Sequence, residues 1–411
     1  MKLFLVMFWS VMAVTTAYSR IPHLDLEMTS GEYRSALQSR DDGEGNSELD
    51  PIIKMGKRFF DWMKLVNDNR PKDKKISISN PQTQPAYPIE SPRVSNPKLI
   101  LGAFSKLKEE LPADIKVVVL GGSAQTIDPP VSDEEFIYWG MKIDDIYGRA
   151  SRWLLQEPWL WGYASKKQTD VRGFYFLSKV SNLEGELNNW SELPEESKTQ
   201  YFKWLVNLCL NGGGSEERCS DKLSEIINKE RSPLSFYQEH LKDGQARWDE
   251  LFRISEKRDD IQWMGSSLSL LKTPFVKPDS PEIEDFLKVN IEEEWKWGDW
   301  ALNLNFIDGG YNTTHVEFIP GATPHVNGLA GSTITMDANQ PITEYHVKWT
   351  IRHEFGHTLG FPDCYVEFYD TNTREMISYQ IDTSNLMCSR RGKLQDKHYQ
   401  ELKRVYYTPS K

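Results

Sequence analysis

Apolar residues recur at helical spacing over most of the first 260 positions. After Asp50-Pro51, an N-cap followed by Pro in the first turn, Ile52, Ile53, Met55, Phe59, Phe60, Met63 and Val66 give a helix one apolar side. The same spacing predicts helices over Lys98 to Leu111, Asp133 to Leu155, Glu195 to Leu210, Asp221 to Lys229 and Pro233 to Ile254. Ile115 to Leu120 is a β-branched run and reads as a buried strand, with Gly121-Gly122 as the turn after it. From Asn69 to Pro97 the chain is rich in Pro, Ser and Asn, the composition of an extended linker or wrapped segment.

Near Asp260 the pattern changes. Ser266 to Leu271 alternates weakly and reads as a first strand. Ser280-Pro281-Glu282 has the form of a helix start, and Ile283, Leu287, Ile291 and Trp295 then recur every four residues. Trp300 to Ile307, Thr314 to Ile319 and Ser332 to Asp337 read as strands, and Gln395 to Tyr406 as a closing helix. The expectation is a mainly helical region over 97–259 and an α+β domain over 260–411. Residues 18–96 are expected to form an N-terminal extension, read either as a prosegment or as an ordinary mobile segment.

Composition adds limits. Fourteen Trp and 18 Phe suffice for a sizeable core, and a formal charge of −11 argues against non-specific nucleic-acid binding. Lys2, the apolar run Leu3 to Val14, and small Thr15 and Ala17 read as a signal peptide over 1–17. A secreted or periplasmic protein without stable membrane insertion is therefore expected. Four Cys fit an oxidising compartment. Cys209 and Cys219 bracket Asn211-Gly-Gly-Gly214 and are paired on that ground, although four Cys allow three connectivities. Trp153, Trp159, Trp161 and Tyr163 read as core, with a ligand groove as the alternative. Asn189-Trp-Ser and Asn312-Thr-Thr are glycosylation sequons, relevant only in a eukaryotic host.

The candidate chemistry lies in His353 to Asp363, HEFGHTLGFPD. His353 and His357 are one helical turn apart on one face, a spacing that lets two imidazoles hold one Zn²⁺. Glu354 can serve as general base toward a zinc-bound water. Gly360 can turn the chain back, and Pro362 stiffens the approach to Asp363, the candidate third ligand. Three protein ligands leave one position open, as in catalytic zinc sites. Val347, Ile351, Phe355 and Leu359 form the helix's apolar stripe, away from the histidines. Glu375, 18 residues past His357, is a rival third ligand. His315, His325 and His346 read as ordinary contacts, with His325 a candidate for lining the cleft.

Ser384-Asn385-Leu386-Met387 resembles the Met-turn of metzincin zinc proteases. Asp363 stands where most metzincins carry a third His, and in this the chain resembles the snapalysin family. The resemblance covers roughly the last third of the chain. It implies a twisted mixed sheet with an antiparallel edge strand, formed by Ser332, Thr333, Ile334, Thr335, Met336 and Asp337, that holds an extended substrate. It also implies that Met387 runs beneath the zinc and that a Cys364–Cys388 disulfide ties the Met-turn to the ligand loop. A metzincin-type Tyr two residues after the Met is replaced by Ser389, so that function is either absent or supplied elsewhere; Tyr365, Tyr369 and Tyr379 are unranked candidates and the oxyanion stabiliser is unassigned. The implied activity is zinc-dependent hydrolysis of a protein or peptide. The alternatives are a non-catalytic zinc-containing binding protein and a zinc hydrolase of a non-protein amide. No cysteine-switch motif suggests a thiolate-inhibited zymogen.

Overall fold

The computed structural model describes residues 47–79, 86–264 and 270–407. The signal-peptide reading, all of the extension before residue 47 and most of the strand expected at Ser266 to Leu271 lie outside them. The described residues form a mixed α and β structure with a helical N-terminal part.

That part is built from α1 (Asp50–Asp68), α2 (Pro97–Glu110), α3 (Ala113–Val119) and α4 (Asp133–Gln156). Ile52, Met55, Phe59, Phe60, Met63 and Val66 of α1 are buried as their spacing predicts. Asp50 lies inside α1 and accepts from the Ser47 N–H, while Leu49 takes the cap position. Segment α3 was expected as a strand. Pro112 precedes it, Asp114 sits in its first turn, and Ile115, Val118 and Val119 bury one face in the core formed with α1. Burial at i, i+3 and i+4 overrides the β-branched preference, and the described residues offer it no neighbouring strand to pair with. Trp153 and Tyr163 belong to this core while Trp161 is 64% exposed, so the four aromatics do not form one groove.

A second helical cluster follows: α5 (Leu160–Ser165), α6 (Arg172–Lys179), α7 (Leu183–Asn188), α8 (Glu195–Leu210), α9 (Glu216–Asn228) and α10 (Leu234–Glu250). Helix α9 starts five residues before the expected Asp221, because the Ser215 hydroxyl caps it through the Arg218 N–H. Cys209 and Cys219 are disulfide-bonded, joining α8 to α9 as expected.

In the C-terminal part, β2 (Gln262–Met264) and β3 (Leu270–Val276) precede α11 (Pro281–Leu287), β4 (Lys296–Trp297) and β5 (Trp300–Ile307). After them come β6 (His315–Ile319), β7 (His325–Val326) and β8 (Thr333–Asp337). Strand β3 is parallel to β5, and β6 is parallel to β8. The Val276 N–H donates to Thr314 O at 2.7 Å, joining β3 to the strand that opens as β6. The strands thus follow β5-β3-β6-β8 in parallel, with β7 antiparallel at the end. This corrects the edge assignment. Strand β8 is interior, with β6 on one side and β7 pairing Ile334 and Thr335 on the other. Two-residue β7 is the edge strand.

Helix α12 (Tyr345–Thr358) packs its Val347, Ile351 and Phe355 stripe, with Leu359 beyond its end, into the core beneath that sheet. Then come β9 (Tyr365–Asp370), β10 (Glu375–Gln380) and α13 (Asp396–Tyr406). The described parts of the stretch at 69–97, residues 69–79 and 86–97, are wrapped on the structure rather than a free linker: β1 (Arg93–Ser95) pairs with β10. Ser77 and Ser79 reach Glu344, the residue before α12.

Candidate metal centre

Helix α12 brings His353 and His357 to one face, and Gly360 then turns the chain. Gly360 has φ +94°, and a Cβ there would lie 2.2 Å from Glu256 O, so glycine is required on two counts. The turn delivers Asp363 to the histidines. His353 Nε2 and His357 Nε2 are 3.2 Å apart, and Asp363 Oδ1 is 3.2 Å from the first and 3.4 Å from the second. A tetrahedral zinc with donors at about 2.0–2.1 Å has donor–donor edges of about 3.3–3.4 Å. The triangle therefore fits three ligands of one such ion, and these residues could hold it.

The far side of each ring is fixed. His353 Nδ1 donates to Leu386 O at 2.8 Å, and His357 Nδ1 to Phe361 O at 2.7 Å. That leaves each Nε2 lone pair facing the shared point. Leu386 belongs to the expected Met-turn. Met387 packs under α12 so closely that a Cβ on Gly356 would be 2.3 Å from its sulfur. Cys364 and Cys388 are disulfide-bonded, and the Cys364 N–H donates to Met387 O at 3.1 Å. Glu375 is on β10, where its carboxylate accepts from Asn96 Nδ2, so Asp363 and not Glu375 joins the histidines. Glu354, between the two histidine positions, is fully buried.

Several supporting residues carried no signal in the sequence. Arg352 is buried beside Glu294, and its guanidinium donates to Arg390 O at 2.9 Å and Gly392 O at 3.0 Å. Glu294 also accepts from the Leu394 N–H at 2.8 Å. His398 of α13 accepts from the Gln395 N–H and donates to Asn385 Oδ1, which also accepts from the Met387 N–H. Burial lowers the His398 pKa to about 4 and keeps the ring neutral.

A cavity of about 830 Å³ opens beside His353. Tyr365, Ser389 and Asp337 line it from the C-terminal part, and Asp144, Arg149 and Arg152 of α4 face them. Of the residues before β7, Thr323 and Pro324 line it, whereas His325 does not and instead lies against Thr323 O at 2.8 Å. Among the three tyrosines, only Tyr365 is at the metal group, hydrogen-bonded to Asp363, with burial and that carboxylate holding its pKa well above the usual value. Tyr379 donates to Asp170 at 2.7 Å, and Tyr369 packs on the helical core. That α4 walls the cavity was unreadable in the sequence: its charged stripe, spaced 3.6 residues per turn, looks like a solvated helix face.

Compared with known proteins, the chain matches no family, no curated protein and no solved structure significantly.

Proposed function

We propose that the protein is an exported zinc-dependent endopeptidase of metzincin type, resembling the snapalysins in its Asp third ligand. The observation that carries this reading is the His353–His357–Asp363 triangle, with zinc-sized edges and Glu354 on the same helix. A mixed sheet with an antiparallel edge strand, the Met387 packing and the Cys364–Cys388 pair support the metzincin resemblance. The two disulfides also support export.

A zinc ion on these ligands would polarise the scissile carbonyl and acidify the attacking water toward a pKa of about 7. Glu354 takes the proton from that water and delivers it to the leaving amine nitrogen. Tyr365 turns its single O–H from Asp363 to the carbonyl oxygen as negative charge develops there. The outer edge of β7 pairs with the substrate main chain, in place of the interior β8.

Zinc content and casein cleavage, measured on wild type and Glu354→Gln, test the proposal. One zinc per chain is expected in both. Cleavage should fall in the variant by about 10²-fold or more, the usual contribution of a general base. Undiminished cleavage by Glu354→Gln would sink it.

A further inference from the structure

The cavity wall carries a second concentration of chemistry away from the ligand triangle. Asp144 of α4 is half-buried there and makes no hydrogen bond or ion pair with any described residue. Burial, and after it the charges of Glu344, Asp145 and Asp337, raise its pKa to about 7. The charge of Arg390 opposes these three carboxylates. His346, from the first turn of α12, lines the same cavity and is only 6% exposed. Its Nε2 faces Gln340 Oε1 at 2.8 Å and so carries the proton. Its Nδ1 then presents a lone pair that has no partner among the described residues. Glu344, fully buried behind this wall, accepts from Ser77 and Ser79 with one oxygen, while its other oxygen has no described partner.

The unsatisfied atoms of Asp144, His346 and Glu344 are all acceptors, whereas the unpartnered donors of the cavity wall, Arg149 Nε and Gln156 Nε2, belong to later turns of α4. Buried acceptors without donors are costly, because each has given up its hydrogen bonds to water. A cation bearing several N–H donors relieves both the charge repulsion and the missing hydrogen bonds. We propose that the acidic end of the cavity, walled by Asp144, Asp337 and His346, is a specificity pocket for a Lys or Arg side chain of the polypeptide substrate. The pocket opens beside the ligand His353, so the cationic residue lies at one fixed position flanking the scissile bond. This rests on the endopeptidase reading.

The test uses the full-length zinc-loaded protein and fluorogenic peptides that differ at one position, carrying Lys, Arg, norleucine or Glu. Norleucine keeps the aliphatic stem of Lys and removes only the charge. We expect kcat/KM for Lys to exceed that for norleucine by about tenfold or more at one position, with Glu poorest. The Lys-to-norleucine ratio should fall toward one in the isosteric Asp144→Asn. Equal rates for Lys and norleucine at every position, or a ratio unchanged in Asp144→Asn, would overturn the pocket and leave the endopeptidase reading intact. If no peptide is cleaved although zinc is bound, the endopeptidase reading fails. The pocket is then decided by titrating N-acetyl-lysine-methylamide into wild type and Asp144→Asn, followed by NMR. Saturable binding lost in the variant supports it, whereas no binding, or equal binding, overturns it.

Discussion

His398 lies one layer behind the metal ligands, and its protonation state couples the site to pH. The folded ring has a pKa of about 4, against the ordinary 6.5. Above pH 6.5 neither state binds the proton. As pH falls from 6.5 to 4 the unfolded chain takes it up and the folded chain does not, so stability drops. The slope is about 1.4 kcal/mol per pH unit for this group, about 3 kcal/mol in all, and it vanishes below pH 4. His346, lowered to about 3, acts in the same direction. Asp144, raised to about 7, acts in the opposite direction, since the folded state binds its proton first. Urea unfolding between pH 8 and 4 should show a shallower acid limb for His398→Gln than for wild type. Equal pH slopes would show that the ring is not held neutral.

At the scale of elements, α12 is a core helix that carries chemistry on its other side, and its two ends are held differently. Its start is held by Ser77 and Ser79 on Glu344, and the Tyr345 N–H donates to Ser79 Oγ at 2.6 Å. Its last turns are held by the Met-turn and by Arg352. The Arg352 side chain is itself buried against Glu294, which ties α12 to the residues leading into β4 and to Leu394. Removing one partner of a buried ion pair leaves the other charge uncompensated, at about 3–5 kcal/mol. Glu294→Ala should therefore lose about that much stability in denaturant unfolding. A loss under about 1 kcal/mol, the ordinary worth of an exposed pair, would mean that the pair is solvated.

At the scale of the molecule, the N-terminal part belongs to the same structure as the metal centre. β1 pairs with β10, Met376 sits in the core of α1 and α4, and Arg152 of α4 makes a two-pronged ion pair with Glu367 of β9. Ile89 and Val171 share a core cluster with Val366, Phe368 and Tyr379. A fragment beginning near Asp260 would expose all of these surfaces. It should lack a cooperative unfolding transition and be cleaved rapidly by trypsin, whereas the full chain resists. A fragment with a transition like that of the full chain would show the two parts to be independent.

The metal group was legible because its ligands lie within eleven residues, where helix periodicity and one glycine turn determine which atoms meet. Apolar spacing likewise revealed α1, α2, α4 and α8 and the stripe of α12, because burial on one face of a helix leaves a local signature. Strand order left no such signature. Nothing local to 332–337 tells an interior strand from an edge strand, and that choice was made by β7 folding back on it. Nor could Ile115 to Leu120 reveal that α1 offered a helical groove rather than a strand to pair with. Only tertiary packing brought Asp144, Arg149 and Arg152 to face a helix 200 residues further along, because a charged stripe reads the same whether it faces water or a cavity.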